Sequence, residues 1–347
     1  MTYFNLDLNT IWFILVGLLF TGYVVLDGFD LGVGMLHLFT KTDEHRRLML
    51  NAIGPVWDGN EVWLVTGGGA LFGAFPQVYA TAFSAFYMPF MLLLVALIFR
   101  GVAIEFRSKS PRPSWRQFWD VCFCLGSGFS AFLIGVTVAH ILNGIPLNAE
   151  YNYTGNFLDF LTPYALWTGL TTMAIFMLHG AIYIVLKTEG SLQALARQWI
   201  NRLLIFFMLT FIVFNLWSLM GIAHVEYIVN QRPHIMGIFA LTILTAFTLP
   251  RWISQQKDGI AFITSCATIV LLMTLFGLTM YPNLLVSYPH IEHTLHIYNG
   301  ASTQKTLGIM GIFALIGMPL VVTYTICIYW IFRGKVTAEH LKKPESY

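Results

Sequence analysis

Long apolar runs, broken by glycine, proline and short charged clusters, recur along the whole chain. A bilayer-crossing helix needs about 20 apolar residues, and runs of that length predict nine transmembrane spans. They fall at about residues 8–38, 52–75, 77–105, 118–142, 160–187, 202–222, 235–250, 259–281 and 306–332, the seventh being the shortest. The longer outer loop at 143–159 divides them. Residues 1–142 then form a first helical bundle of four spans and residues 160–332 a second helical group of five, with a tail at 333–347. The predicted fold is an all-α polytopic membrane protein, two four-helix bundles with one extra, peripheral helix.

Composition leaves no other class open. Hydrophobic residues make up 57% and charged residues 10% of 347 positions, where soluble domains carry roughly 25% charged residues. The mean hydropathy is +0.69. After nine spans and their loops, no sizeable extramembrane domain remains, so lipid is the main solvent and function must lie among the helices. A net charge of +2 excludes nucleic acid as a main partner. The four cysteines lie in or beside apolar runs without a CxxC or CxxCH motif, which argues against disulfides, zinc and covalently attached haem. No basic residue precedes Asp7, so the first span lacks a signal-peptide head and is expected to be retained.

Basic residues orient the spans, because they favour cytoplasmic loops. With the N-terminus outside, the inner segments hold Lys41, Arg46 and Arg47; Arg107, Lys109, Arg112 and Arg116; Lys187, Arg197 and Arg202; Arg251 and Lys257; then Arg333, Lys335, Lys342 and Lys343. The outer loops hold only Arg232 and Lys305. The expected topology is N-out and C-in.

Charge inside the spans is the candidate chemistry. Span 1 carries Asp27 and Asp30, and span 2 opens GPVWDGNEVW with Asp58 and Glu61, each pair three residues apart and so on nearly one helical face. A glycine run at 67–69 is suited to close approach of another backbone. Span 3 carries Arg100 about two turns before the inner loop. Counted at 1.5 Å per residue, all five groups lie roughly 10 to 17 Å from the inner boundary and can form one cluster. Each charge at mid-bilayer costs at least ~2.5 to 3.5 kcal/mol, so the set needs a reason. One reading is a proton route through Asp58, Glu61, Asp27 and Asp30, since four carboxylates beside one guanidinium cannot all ionise. The other is structural, with Arg100 paired to an aspartate, Asp30 or Asp27, and the remaining groups bonded to backbone.

Histidines raise the question of haem, which membrane helices commonly hold through inward-facing His or His/Met pairs. His179, inside span 5, is best placed, yet a lone helical histidine more often hydrogen-bonds a neighbouring helix. No metal site is predicted. The outer segment YPNLLVSYPHIEHTLHIYNGASTQKTL reads as an ordered reentrant or capping loop, with an interfacial aromatic belt as the simpler account and a quinone site as the alternative.

The stretches VLDGFDLGVGML, GPVWDGNEVWLVTGGGALFGAFPQVYATAFSAFYMPFMLLLVALIFRGVAIEFRSK and MYPNLLVS followed by IYNGASTQKTL resemble subunit II of cytochrome bd-type quinol oxidase, and the likeness runs over nearly the whole chain. The resemblance implies an electron-transport subunit of the bacterial inner membrane. It would form a pseudo-symmetric heterodimer with a haem-bearing subunit I, which oxidises quinol and reduces oxygen to water. Catalytic residues and haems would then belong to the partner. A small accessory membrane subunit, where present, would be a further partner. By the same resemblance, Asp58 lies on a proton route from the cytoplasm, Trp63 matches a position on an oxygen entry path in some members, and a structural quinone occupies a pocket of subunit II in some. Glu61 departs from members that have glutamine there.

Two rival functions share these features: a proton-coupled secondary transporter, which also uses buried carboxylates and glycine-broken helices, and a haem-binding quinol dehydrogenase subunit built around His179. A transporter would predict a substrate cavity at the midplane, whereas these charges crowd the inner third.

The bias of sixteen inner against two outer basic residues predicts a cytoplasmic C-terminus. A phosphatase reporter fused after Tyr347, active only in the periplasm, is expected to be silent; activity there would reverse the topology.

Overall fold

The computed structural model describes residues 7–337, 339 and 341; Lys342, Lys343 and the end of the tail lie outside the described residues. Asp7 accepts a hydrogen bond from the Thr10 backbone N–H and starts α1 (Leu8–Leu36), an end-cap that satisfies one of the free donors of the first turn. Thr42 does the same for α2 (Asp43–Ile53), whose first turn carries Asp43 and Glu44 where the helix dipole favours anions. Helix α3 (Trp57–Ala74) follows. Span 2 therefore begins at Trp57 rather than near residue 52, because Pro55 has no N–H with which to continue the ladder. Asp58 lies in the first turn of α3, not two turns inside a helix.

Span 3 is also divided, into α4 (Pro76–Ala85) and α5 (Tyr87–Phe106). Pro89 cannot donate to the carbonyl of Ala85, and the helix breaks at Phe86 between them. The remaining helices are α6 (Pro113–Asn143), α7 (Pro163–Lys187), α8 (Gly190–Gly221), α9 (Ala223–Gln231), α10 (His234–Ser254), α11 (Asp258–Met280) and α12 (Gln304–Ile331). Among the described residues, eight helices are long and apolar enough to cross a membrane. The ninth segment, α3, has 18 residues, about 27 Å of helix; Asp58, Asn60, Glu61 and its glycines lower its hydropathy. The short α9 lies in the connection between α8 and α10, where the hydropathy pattern predicts no helix.

Helix α1 is central, packed against α3, α6 and α7, while α7 also meets α8 and α11, and α10 pairs with α11. The crossing of α1 and α7 is a backbone-to-backbone contact. A Cβ on Gly32 would sit 1.9 Å from the Phe176 carbonyl oxygen, and one on Gly180 would sit 2.5 Å from the Gly32 carbonyl carbon. In contrast, nothing in this chain lies within 4 Å of such an atom at Gly68 or Gly69, and Gly67 faces only the Phe20 ring. The predicted backbone approach at the glycine run does not occur among the described residues, because Gly67 meets a side chain of α1 and Gly69 points outward. Helix α12 lies against α3 and α1, with only Leu307 of its length buried.

The two ends are tied by loops. At one end, β1 (Asn283–Leu285) and β2 (Leu295–His296) form a small antiparallel pair, to which Ile145 adds a bridge at Ser287. This makes the outer segment a cap. Asn9 donates to the Ile297 carbonyl (2.5 Å) and Trp12 to the Leu307 carbonyl (2.9 Å), pinning α1 beneath it. At the other end, Lys187 donates to the carbonyls of Phe332 and Gly334. It is a buried helix-end cap for α12, where the sequence marks it only as a basic residue at the inner end of span 5.

Gly32→Ala is expected to destabilise the chain by on the order of 3 kcal/mol, since two backbones must separate. Gly17→Ala, with nothing within 4 Å, should be neutral. A thermal unfolding series on the purified assembly measures the contrast.

Candidate functional site

Three helices bring the predicted charges together. Asp27 and Asp30 on α1 and Arg100 on α5 are all fully buried. Arg100 grips Asp27 with both terminal nitrogens, Nη2 to Oδ1 at 2.5 Å and Nη1 to Oδ2 at 3.0 Å. This two-pronged geometry is the strongest arrangement available to a guanidinium and a carboxylate. The Arg100 Nη1 also donates to Glu61 Oε1 at 3.3 Å. The close packing of α6 on α5 makes room for this group: a Cβ at Gly126 would come within 3.0 Å of the Arg100 backbone nitrogen.

Asp30 is not the ion-pair partner expected for Arg100. Its Oδ2 instead accepts from Asn60 Nδ2 at 2.7 Å, and among the described residues no donor reaches its buried Oδ1. One turn of α1 separates the two aspartates, and both terminal nitrogens of the guanidinium are turned to Asp27 and Glu61, while its Nε hydrogen-bonds none of the described residues. Asn60 also donates to the Leu26 carbonyl at 3.0 Å, while its own Oδ1 accepts from the Tyr329 hydroxyl at 2.9 Å. Neither Asn60 nor Tyr329 was singled out from sequence. Asn60 lies within the WDGNE motif, where a polar residue between two carboxylates is a usable signal; Tyr329, far along the chain, offers none.

Glu61 is the rim of this cluster, its side chain 23% exposed. Asp58 is exposed on the surface of the chain, on an outward stripe of α3 that continues through Val62, Val65 and Phe72. Trp63 points inward and lies across Gly22, where a Cβ would meet its ring at 2.3 Å. The arrangement thus runs from an exposed carboxylate, through a half-buried one, to two buried ones. Three carboxylates contact or neighbour a single guanidinium, so full ionisation would leave excess negative charge in an apolar interior.

A second charged network joins the ends of α1, α2, α5 and α6. His37 Nε2 and Arg107 Nε both donate to Asp120 Oδ1 at 2.5 Å, and Arg46 Nη1 donates to Asp120 Oδ2 at 2.8 Å. Arg107 and Arg116 converge on Asp43 at 2.7 and 2.9 Å. Arg107, counted by sequence among loop charges, is 2% exposed. A lone aspartate two turns into the apolar α6 was the available sign of this network.

His179 is fully buried, with both ring nitrogens engaged, Nδ1 to Ser265 Oγ (2.8 Å) and Nε2 to the Val25 carbonyl (3.0 Å). Neither nitrogen is free to ligate iron, so this site does not fit a haem. Among the described residues no three His, Cys, Asp or Glu side chains converge as a metal site. A separate apolar cavity of about 230 Å³ opens between α1, α6, α7, α8, α10 and α11, lined by Phe176, Phe207, Phe211 and Phe239 with Thr168 and Asn215 among the few polar groups. Thr168 and Asn215 donate to carbonyls one turn earlier in their own helices, which leaves the lining suited to a hydrocarbon chain.

The chain matches the family described as cytochrome bd terminal oxidase subunit II over residues 8–332. It is 34% identical to the cytochrome bd-I ubiquinol oxidase subunit 2 of Escherichia coli K12, with 97% of each chain covered. It is 36% identical to the cytochrome bd ubiquinol oxidase subunit 2 of Bacillus subtilis 168, covering 98% of this chain and 99% of that one. In fold it is similar to a chain in the structure of bd oxidase from Geobacillus thermodenitrificans, with a TM-score of 0.78 and 18% identity over 94% of this chain and 98% of the other. With the family matched from the first long helix to the last, this chain belongs to the cytochrome bd terminal oxidase subunit II family.

Proposed function

We propose that this chain is the non-haem subunit of a bacterial inner-membrane quinol oxidase, N-out and C-in, which scaffolds a haem-bearing subunit I and supplies protons to it. The observation that carries the reading is the graded carboxylate series: exposed Asp58, half-buried Glu61, then buried Asp27 and Asp30 around Arg100. Reduction of oxygen to water consumes protons, and hydrocarbon does not conduct them, so titratable groups must reach an aqueous face. An excess of carboxylates over cations gives the cluster capacity to hold and pass protons rather than only to pair. On this reading Asp58 collects protons where α3 meets the partner, Glu61 passes them inward, and the Arg100–Asp27 pair holds the frame. The engaged nitrogens of His179 favour a scaffold over a haem-ligating role.

The partner would cover the outward stripe of α3 around Asp58 and Val65, with bundles 1–142 and 160–332 mirrored across the pair. Quinol and oxygen chemistry would then occur on subunit I, whose haems supply electron transfer and oxygen reduction. Trp63 would line an oxygen path only by family likeness. The apolar cavity fits the isoprenoid chain of a structural quinone, held by Phe207, Phe211 and Phe239. Its polar side chains are committed to their own helices, which argues against quinol oxidation there.

Asp58→Asn keeps size and hydrogen bonding while removing titration. The variant complex should assemble with its partner's full haem content and lose most steady-state quinol oxidation, about tenfold or more for a lost proton-transfer group. Wild-type turnover and proton uptake in the assembled variant would refute the assignment. Arg100→Leu leaves Asp27 buried without its cation, at a cost on the order of 3 to 5 kcal/mol. Yield of assembled complex should therefore fall more than turnover per complex; the opposite split would make Arg100 a transfer group.

A further inference from the structure

We infer that Asn60 and Tyr329 are positioning residues for Asp30, binding one oxygen of its carboxyl group so that the other, Oδ1, is the oxygen that takes up and releases the proton. The inference rests on the proton-route reading above and adds two residues and one atom to it.

The amide of Asn60 is fully specified by its neighbours. Its two N–H donors serve Asp30 Oδ2 and the Leu26 carbonyl, and its oxygen accepts from the Tyr329 hydroxyl. Turning the amide over would set its oxygen against two acceptors, the Leu26 carbonyl and Asp30 Oδ2, and lose both hydrogen bonds. The Leu26 carbonyl therefore selects the orientation that presents N–H to Asp30, and the Tyr329 O–H, donating to the amide oxygen, holds Asn60 in place from its far side. An amide side chain has no proton to give near neutral pH, so Asn60 holds Asp30 without relaying.

That leaves Oδ1. It is buried, and among the described residues no donor reaches it. The terminal nitrogens of Arg100, the cation in the cluster, are committed to Asp27 and Glu61, its Nε hydrogen-bonds no described group, Asp30 included, and the Tyr183 hydroxyl is committed to the Ala52 carbonyl. In the transfer step a proton arriving from the Glu61 side forms an O–H bond at Oδ1; that bond breaks as the proton moves on, and no electrons change hands. Asn60 keeps Oδ2 occupied throughout, so the carboxyl group cannot rotate to exchange its oxygens without losing a hydrogen bond.

Tyr329 brings this control from the periphery. It sits near the inner end of α12, a helix mostly exposed on this chain, and whose end is held by Lys187 through the carbonyls of Phe332 and Gly334. The placement of α12 is thereby coupled to a carboxylate in the core.

Redox-difference infrared spectroscopy and turnover of the intact complex test the inference. Asp30→Asn should delete a carboxyl C=O band. Tyr329→Phe and Asn60→Leu should keep that band, shift its frequency and lower turnover per assembled complex about 3- to 10-fold, the effect of one lost hydrogen bond. A packing role would change assembly alone and leave the band in place. An unshifted band with wild-type turnover in Tyr329→Phe overturns the inference, as does failure of both variants to assemble. If Asp30→Asn slows turnover and Tyr329→Phe does not, the positioning role alone falls. If Asp30→Asn turns over as wild type, the route through Asp30 falls with it.

Discussion

A guanidinium buried in an apolar medium is the constraint on which this structure turns. Arg100 stays protonated, so the helices around it must supply anions in a fixed plane. Asp27 provides both oxygens and Glu61 a third contact, which sets α1, α3 and α5 in one register. The α1–α7 crossing at Gly32 and Gly180 then follows from the same placement of α1, since only hydrogen-sized side chains allow the two backbones to meet. Rigidity at the crossing and charge at the cluster are two results of one helix position.

The cluster carries more carboxylates than its cation can use. A purely structural ion pair would be cheaper with one partner, because every additional buried anion adds a desolvation cost. Asp30, held by Asn60 rather than by Arg100, is the clearest surplus group. The network around Asp120 differs in kind: there His37, Arg46 and Arg107 surround a single carboxylate. It joins the amphipathic α2 to the ends of α1, α5 and α6, and has the composition of a brace rather than a relay.

The exposed faces of α3 and α12 complete the picture. Val65 and Phe72 on α3 and Leu315 on α12 are at least 60% exposed, as expected of helices whose packing partners are lipid or another subunit. Asp58 shares that outward stripe of α3, so a charge on an apolar face ties the cluster to whatever covers it.

Length and hydropathy alone determined the class, the number of apolar segments and the gathering of Asp27, Asp30, Glu61 and Arg100 toward one level, because a bilayer imposes a fixed span length and penalises every charge within it. The stretches around Asp27 and Asp30, from Gly54 through the end of span 3, and in the outer segment together suggested the family. Pairing was beyond the sequence: equal depth on α1 does not say whether Asp27 or Asp30 faces α5, since that depends on helix rotation. The break at Pro55, which moved Asp58 into a first turn, and the break at Phe86, which divides span 3, were legible in principle from the prolines. Arg107 looked like a loop charge and Lys187 like an orienting charge at the end of span 5, yet both are buried, because tertiary contacts from Asp120 and from the end of α12 supply their partners. Only the tertiary structure, by packing α12 against α3, could set Tyr329 beside Asn60, since side chains so far apart in the chain meet through helix placement that no local pattern encodes.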